Sequence, residues 1–315
     1  MRRREFLVLG AGAVALAAGC AHRKDRVASP ISLIVPAPAD SFASTFKGAV
    51  EKRRLVSSVT IGPQSMDLTT IARFAGSRRP DLLMLAGPGM VTAAAGSDAT
   101  ALLASTTPLA RLAGDWLLIV APRHSRFRDF QVLAATLIRD PASVRLAGRS
   151  AGGPDHVLYG LTARGLGADA RLLRYSAFPD TANVITALLD GRFMAGIGGY
   201  RDLIPHLGKL RVLAVSAPER VRGVDAPTLM ESGASLTYAD WRGLVAPGAL
   251  REEDRSRLYD LCANLDGSAA WHAGCEREHW TPMYLAGGDF ARWLSIEAQR
   301  AHEVLADLGV LRGLD

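Results

Sequence analysis

The chain has 315 residues, of which 49% are hydrophobic and 22% are charged, and its formal net charge is +6. This length accommodates two domains of ordinary size, each with its own core. The basic residues are scattered rather than gathered into a stripe, which argues against a nucleic-acid partner. The sequence contains neither a dinucleotide-binding fingerprint nor a P-loop, so no cofactor is predicted.

The first 19 residues have the order of an export signal. Arginines occupy positions 2–4, an apolar run extends from Phe6 to Ala18, and small residues precede Cys20. The apolar run is too short for a membrane-spanning helix, which needs about 20 residues. Residues 1–19 are therefore predicted to be a cleaved signal peptide. The twin arginines at 3–4 leave both the general secretory and the twin-arginine routes open.

The end of this segment resembles a bacterial lipobox. Small residues lie directly before Cys20, whose thiol would receive the lipid. Residues 20–30 are polar and charged, which suits a tether between lipid and domain. The sequence thus predicts an exported protein that is lipid-anchored to the membrane and faces the periplasm or the cell exterior.

From Ile31 onward, short apolar strands alternate with helices. Strands are predicted at 31–36, 56–61 and 81–85, and helices at 42–53 and 69–75. This alternation predicts a mostly parallel sheet flanked by helices. Ligands of such sheets bind in loops at the carboxyl ends of the strands.

Two later stretches, 116–122 and 241–247, echo one another: each opens with tryptophan and ends in Val-Ala-Pro. The segment between them has its own alternation of strands and helices. We expect the two stretches to be crossover strands at a hinge between two lobes. The predicted first lobe is 31–119 plus 245–315, and the predicted second lobe is 120–244.

The remaining predicted elements follow the same periodicities. The second lobe is predicted to contain helices at 129–138, 155–165, 181–190 and 201–207 and strands at 143–147, 171–175, 193–197 and 210–215. Three helices are predicted after the second crossover, at 251–264, 268–278 and 288–308.

The segment 147–156 is rich in small residues and lies between a predicted strand and a predicted helix. Small residues expose the backbone, so successive N–H groups at a helix start, beside the Ser150 hydroxyl, form a cradle for an anion. Asp155 could instead cap the helix, and His156 could simply pack. The segment predicts an anion site without a cationic side chain.

Residues 148–152 also match the Gly-x-Ser-x-Gly pattern of serine hydrolases, with Ser150 as nucleophile. The pattern is short, and the sequence lacks a His-Gly-Gly-type oxyanion segment upstream. His156 leaves on the helix that starts at the serine and is poorly placed to serve as its base. A hydrolase is therefore a minor alternative.

Apart from Cys20, the chain has two cysteines, Cys262 and Cys275. An even number in an oxidising compartment predicts a disulfide. A metal site from His272, Cys275 and His279 is the alternative, but zinc needs a free thiolate and no fourth ligand lies nearby. No metal is predicted.

Five motifs occur in the order and at the spacing of one protein family. They are Ser-Ala-Gly-Gly-Pro-Asp-His at 150–156, Thr-Pro-Leu-Ala-Arg-Leu at 107–112, Pro-Thr-Leu-Met-Glu-Ser-Gly at 227–233, Trp-Arg-Gly at 241–243 with Ala-Pro at 246–247, and Trp-Thr-Pro at 280–282. From about residue 30 onward, the chain thereby resembles the substrate-binding proteins of tripartite tricarboxylate transporters, the TctC or Bug family.

The resemblance implies an α/β, periplasmic-binding-protein-like (type II) fold. Each of two lobes would be a mostly parallel sheet flanked by helices, and two crossover hinge strands would join them. It implies a receptor and not an enzyme, expected to be a monomer. This receptor would capture a small carboxylate between the lobes: citrate, another di- or tricarboxylate, a related organic acid or an acidic amino acid. The partner would be the membrane subunits of such a transporter. A ligand-sensing receptor of the same fold, feeding a signalling partner, is the alternative.

In that family, main-chain amides, small side chains and water from loops of both lobes hold the ligand carboxylate. The corresponding candidate ligand-binding residues are Ser150, Ala151, Gly152, Gly153, Asp155, Ala39, Asp40, Ser41, Gln64, Ser65, Asp180, Thr181 and Gly198. This chain lacks several glycines that the family has in these loops, and it carries acidic groups there instead. The change favours a smaller or less charged acid, such as a monocarboxylate or an acid with a cationic group.

Overall fold

A computed structural model describes residues 29–36, 41–65, 67–95 and 99–311. The predicted signal peptide, Cys20 and most of the tether lie outside the described residues, as do Ala39 and Asp40. Within the described ranges, no helix has the length and apolar character needed to span a bilayer.

Strands and helices alternate along most of the described chain. The strands are β1 (Ile31–Pro36), β2 (Val59–Gln64), β3 (Leu82–Ala86), β4 (Thr106–Pro122), β5 (Arg145–Arg149), β6 (Arg174–Phe178), β7 (Ala195–Gly199), β8 (Leu210–Val215), β9 (Ala239–Pro247) and β10 (Thr281–Ala286). The helices are α1 (Ser41–Lys52), α2 (Leu68–Ala75), α3 (Pro88–Ala95), α4 (Ala99–Ala104), α5 (Phe130–Arg139), α6 (Pro154–Gly165), α7 (Thr181–Leu189), α8 (Tyr200–Leu203), α9 (Glu252–Asp266), α10 (Ala269–Arg277) and α11 (Gly287–Asp307).

The sheet has two halves that share β4. In the first half, β1 pairs in parallel with β2 and β3, and the antiparallel strands β9, β4 and β10 continue it. In the second half, β5 pairs in parallel with β6 and β7, while β7 and β8 run antiparallel to β4. The α/β, two-lobed fold class predicted from the sequence is confirmed. The term first lobe is used here for β1–β3, β10, α1–α4 and α9–α11, and the term second lobe for β5–β8 and α5–α8.

The long strands β4 and β9 run between the lobes, where the echoing sequences predict crossovers. Residues 106–116 of β4 pair with β9, whereas residues 117–122 pair with β7 or β8. The same strand therefore belongs to both lobes. The lobe boundaries at 119/120 and 244/245 stay a proposal.

Local sequence explains the opening of the first lobe. In β1, alternate side chains from Ile31 to Val35 are buried, as a strand with one covered face requires. The buried aromatic face of α1, with Phe42 and Phe46, packs into the same cluster. Asp67 caps α2 by accepting a hydrogen bond from the Thr70 amide at 2.8 Å. A strand, an amphipathic helix and a capped helix thus form where the pattern predicts them.

Some elements differ from the prediction. β4 begins at Thr106 rather than at 116, because Arg111 and Asp115 interrupt the apolar pattern yet remain in the strand. α3, α4 and β10 were not predicted at all. α3 begins Pro-Gly and continues with small apolar residues, so it has no polar face to reveal helical periodicity.

The predicted disulfide between Cys262 and Cys275 is wrong in this structure: both residues are free, buried thiols. They pack as small apolar side chains in the core of the first lobe, together with Trp271. Burial raises the pKa of each thiol to about 12, so both stay protonated and unreactive. The prediction used only the even number of cysteines, which does not show that the two thiols lie on different helices and each pack in the core.

Candidate functional site

The predicted ligand residues that the structure describes lie at or just after the carboxyl ends of strands in both lobes. Ser41 is the first residue of α1, just after β1, while Gln64 ends β2 and is exposed with Ser65 after it. Asp180 caps α7 by accepting a hydrogen bond from the Asn183 amide at 2.8 Å. Thr181 is the first residue of α7, and Gly198 lies near the end of β7.

The loop at 150–153 follows β5 and contacts the first lobe. Ser150 and Ala151 are exposed, whereas Gly152 is buried with φ +73°. The Gly152 carbonyl accepts a hydrogen bond from the Thr92 hydroxyl of α3 at 2.9 Å. A Cβ atom at Gly152 would press on Thr92, so glycine permits both the positive φ and the close approach of the lobes.

Two amides of this predicted anion cradle already donate hydrogen bonds within the loop. The Gly152 N–H donates to Nδ1 of His156 at 3.1 Å, and the Gly153 N–H donates to the Ser150 carbonyl at 2.9 Å. An anion at the loop would therefore compete with these bonds or use the exposed edge at Ser150 and Ala151. The cradle is smaller than the sequence predicts.

His156 is not placed as a base for Ser150. Its Nδ1 atom accepts the Gly152 amide, and its ring stacks on Tyr175 with 4.1 Å between centroids. Burial lowers the pKa of His156 to about 4, so the ring is neutral and takes part in packing. These contacts give no support to the hydrolase alternative.

Asp155 forms a buried charged cluster with Arg149, Asp240 and Arg242, here called the Arg149 cluster. The Asp155 carboxylate is 0% exposed and accepts hydrogen bonds from the backbone N–H of Arg149 at 2.8 Å and from its Nη2 at 2.7 Å. Nη2 of Arg149 lies 3.2 Å from Asp240, which also pairs with Arg242. Asp155 thus ties β5 to α6, and Asp240 ties both to β9.

The charges in the Arg149 cluster balance one another. Burial opposes the charge on Arg149, but Asp155 and Asp240 outweigh it and raise the pKa of the guanidinium. Burial would likewise raise the pKa of Asp240, yet Arg242 and Arg149 hold it below its usual value. Because each buried charge already has a partner, loss of one member would leave an unpaired buried charge, and the set offers little to a ligand.

A second group of residues bridges the lobes at the end of β7 and is here called the Arg201 cluster: Arg201, Ser41, Glu278 and Trp280. Arg201 is a residue of α8 in the second lobe, and its Nη2 donates a hydrogen bond to the Ser41 hydroxyl at 2.8 Å. Its Nε donates to the Glu278 carbonyl, and its Cζ lies 4.1 Å from the centroid of the Trp280 ring. The guanidinium thus reaches from the second lobe to α1 and to the segment before β10.

Asp115 lies between the two clusters, directly opposite Asp240 in the pairing of β4 with β9. Burial raises the pKa of Asp115 to about 8. The negative charges of Asp240 and Asp202 also raise this pKa, whereas Arg201 lowers it. A Cβ atom on Gly199 would collide with the Asp115 carboxyl, so glycine lets the end of β7 approach it. The two crossover strands therefore present facing acids beside the cleft.

The sequence reasoning missed Arg149, Arg201, Asp115 and Asp240. A signal for the two acids was present, because each crossover tryptophan directly follows an aspartate: 115–116 and 240–241. The arginines had no such signal, since neither position differs from any other charged residue at a strand end.

Two large cavities, of about 520 and 530 Å³, lie away from the predicted ligand residues, whereas a third of about 390 Å³ is lined in part by Gln64. A cavity of about 520 Å³ lies beside Ile31, Leu55 and Leu258, at the start of β1 and hence at the edge opposite the predicted ligand loops. Between α3, α6 and α11, by contrast, the space is only about 10 Å³. The lobes are in close contact at these helices, and cavity size does not mark the cleft that strand topology predicts.

Solved structures share this fold. A TctC solute-binding protein from Polaromonas, solved without ligand, matches with a TM-score of 0.72 and 19% identity over 88% of this chain and 98% of that one. MatC from Rhodopseudomonas palustris with bound malate has a TM-score of 0.66 and 19% identity, covering 88% and 99%. A second R. palustris protein, with adipate, has a TM-score of 0.67 and 18% identity, covering 90% and 99%.

No protein-family model and no curated protein matches the chain. At these low identities, the structural similarity establishes the fold, which is that of periplasmic solute-binding proteins of the TctC type. The resemblance indicated by the five sequence motifs is thereby confirmed for the fold.

Proposed function

We propose that the chain is an extracytoplasmic solute-binding protein, and not an enzyme, that captures a small carboxylate between its lobes. The observation that carries the proposal is the fold, shared along nearly the whole described chain with binding proteins that hold malate or adipate. The cleft adds a cationic side chain, Arg201, at the carboxyl end of β7, where ligands of such sheets bind.

The proposal includes delivery and location. The captured acid would pass to the membrane subunits of a tripartite tricarboxylate transporter, and a lipid on Cys20 would keep the receptor at the membrane. The proposed lobes, 31–119 plus 245–315 and 120–244, would open and close at the two crossover strands.

The test of capture is a thermal-shift screen of the full chain against monocarboxylates, dicarboxylates and amino acids, with malate and adipate included. A ligand that binds only the folded state stabilises it by about 2.7 kcal/mol at a hundredfold excess over Kd. We expect at least one carboxylate to raise the melting temperature and its uncharged amide to leave it unchanged. Equal melting temperatures with every acid tested would contradict the proposal.

The test of the anchor is the intact mass of the exported protein. Signal removal and lipidation at Cys20 predict a chain that starts at residue 20 and carries an added acylglycerol mass, whereas Cys20→Ser should lack that mass. An exported wild-type chain without acyl mass would contradict the anchor and leave the capture proposal standing.

A further inference from the structure

The guanidinium of Arg201 lies at the edge of the sheet where ligands of such folds bind. This residue follows β7 directly, so its guanidinium starts from the ligand edge of the second lobe. It ends against Ser41 and Glu278 of the first lobe, at 2.8 Å from the Ser41 hydroxyl. One side chain therefore bridges the two walls of the cleft.

The present partners of Arg201 leave hydrogen-bonding capacity unused. A guanidinium carries five N–H groups. Nε and Nη2 have partners, whereas Nη1 has no acceptor among the described residues. The indole N–H of Trp280, beneath the guanidinium, is also without an acceptor in the described part of the chain, although Trp280 is only 5% exposed. A buried indole N–H without an acceptor in the described part of the chain therefore belongs to the ring that lies against the Arg201 guanidinium.

The Glu278 carboxylate is a weakly held partner. One of its oxygens lies 3.5 Å from Nη2 of Arg201, and the other lies 3.3 Å from Nε of the neighbouring Arg277. A free carboxylate could instead form the bidentate pair that suits a guanidinium. Glu278 is partly exposed, so water could solvate it after displacement.

The start of α1 adds to the attraction for an anion. Ser41 is its first residue, and the first turn of this 12-residue helix carries no acidic side chain. The positive end of the helix dipole therefore faces the same place as the Arg201 guanidinium. An anion between them would contact both lobes.

We propose that Arg201 is the ligand-carboxylate anchor of this receptor, and that Glu278 occupies the anchor until a ligand carboxylate displaces it. The inference rests on the proposed function and adds its chemistry: the ligand offers one carboxylate to a guanidinium supported by Trp280. The second lobe thus contributes a charged anchor as well as backbone amides.

The experiment is isothermal titration of the full chain with four probes: malate, adipate, glutamate and butyrate. Loss of a charge-assisted, bidentate contact weakens binding by about 100-fold, so we expect Arg201→Ala to weaken the best probe by that factor. Arg201→Lys should keep part of the affinity. Arg192→Ala removes an exposed arginine at the opposite end of β7 and should change nothing.

Glu278→Gln is expected to strengthen binding, a result that a misfolded variant would not give. Removing the competing carboxylate should strengthen binding of the same probe about threefold to tenfold, while Glu276→Gln, an exposed neighbour on α10, should not. If the wild type binds a probe and Arg201→Ala binds it equally well, the anchor is overturned and the receptor stands. If the wild type binds none of the four, the anchor falls together with carboxylate capture.

Discussion

The Arg149 and Arg201 clusters each centre on an arginine that contacts acidic side chains, but they differ in the burial and pairing of those acids. Arg149 is 24% exposed and contacts two buried carboxylates, one of them 0% exposed. Arg201 has a similar exposure of 22%, yet its single carboxylate partner is 3.5 Å away and itself 26% exposed. The exposure of the arginine therefore does not distinguish a structural cation from a binding one. The distinction depends on how deeply its carboxylate partners are buried and how closely they pair with it.

The largest expected effect concerns the Arg149 cluster. Arg149→Ala would leave Asp155 buried without its cationic partner, and Asp240 with Arg242 alone, which costs about 3–5 kcal/mol. We expect urea denaturation to show that loss for Arg149→Ala. Arg201→Ala, whose one ion pair is long and partly exposed, should lose about 1 kcal/mol or less of the free energy of unfolding. The double variant Arg149→Met, Asp155→Leu should recover much of the stability. Equal losses for the two arginines would remove the distinction between the clusters.

The next effect concerns Asp115, which lies between the clusters. Its pKa of about 8 in the folded chain lies above the ordinary value of 3.8, so the folded state holds a proton that the unfolded state releases. The contribution of Asp115 to stability is thus complete below about pH 4 and declines as the pH rises towards 8, by about 2 kcal/mol between pH 6 and pH 8.

Asp115→Asn keeps the shape and removes the titrating proton. We expect its free energy of unfolding to depend less on pH across that interval than that of the wild type, as measured by denaturation at several pH values. Asp190→Asn, which alters an exposed acid, is the control. An unchanged slope in Asp115→Asn would mean that Asp115 is ionised in the folded chain.

A smaller effect concerns the contact between α3 and the loop after β5. Thr92→Val removes the hydroxyl that donates to the Gly152 carbonyl, and a hydrogen bond of this kind contributes about 1 kcal/mol. Thr92→Ser keeps the donor and should behave as the wild type. If Thr92→Val and Thr92→Ser have the same denaturation midpoint, this hydrogen bond between the lobes does not contribute to stability.

The smallest expected effect is that of a reducing agent. Cys262 and Cys275 are separate buried thiols, so reduction should leave the melting temperature of the exported protein unchanged. Both should react with maleimide only after unfolding, because burial keeps them protonated. A mass 2 Da lower at these two residues, restored by reduction, would instead reinstate the disulfide.

The sequence determined the order and type of most elements. Apolar periodicity placed β1, α1 and β8 within a residue or so of their bounds. The two stretches that end in Val-Ala-Pro predicted strands, and β4 and β9 contain them, because buried strands must be apolar whatever their neighbours are. Periodicity failed at β10, whose alternately exposed residues pair antiparallel with β4 far away in the chain.

Only the tertiary structure decided what the charged residues do. Asp155 was expected to contact ligand or to cap a helix, but its carboxylate faces Arg149 and is buried. Arg201 was overlooked, although it meets Ser41, which is 160 positions away in the chain. The physical reason is that apolar burial depends mainly on local periodicity, whereas the role of a charge depends on which distant groups surround it and how much water remains.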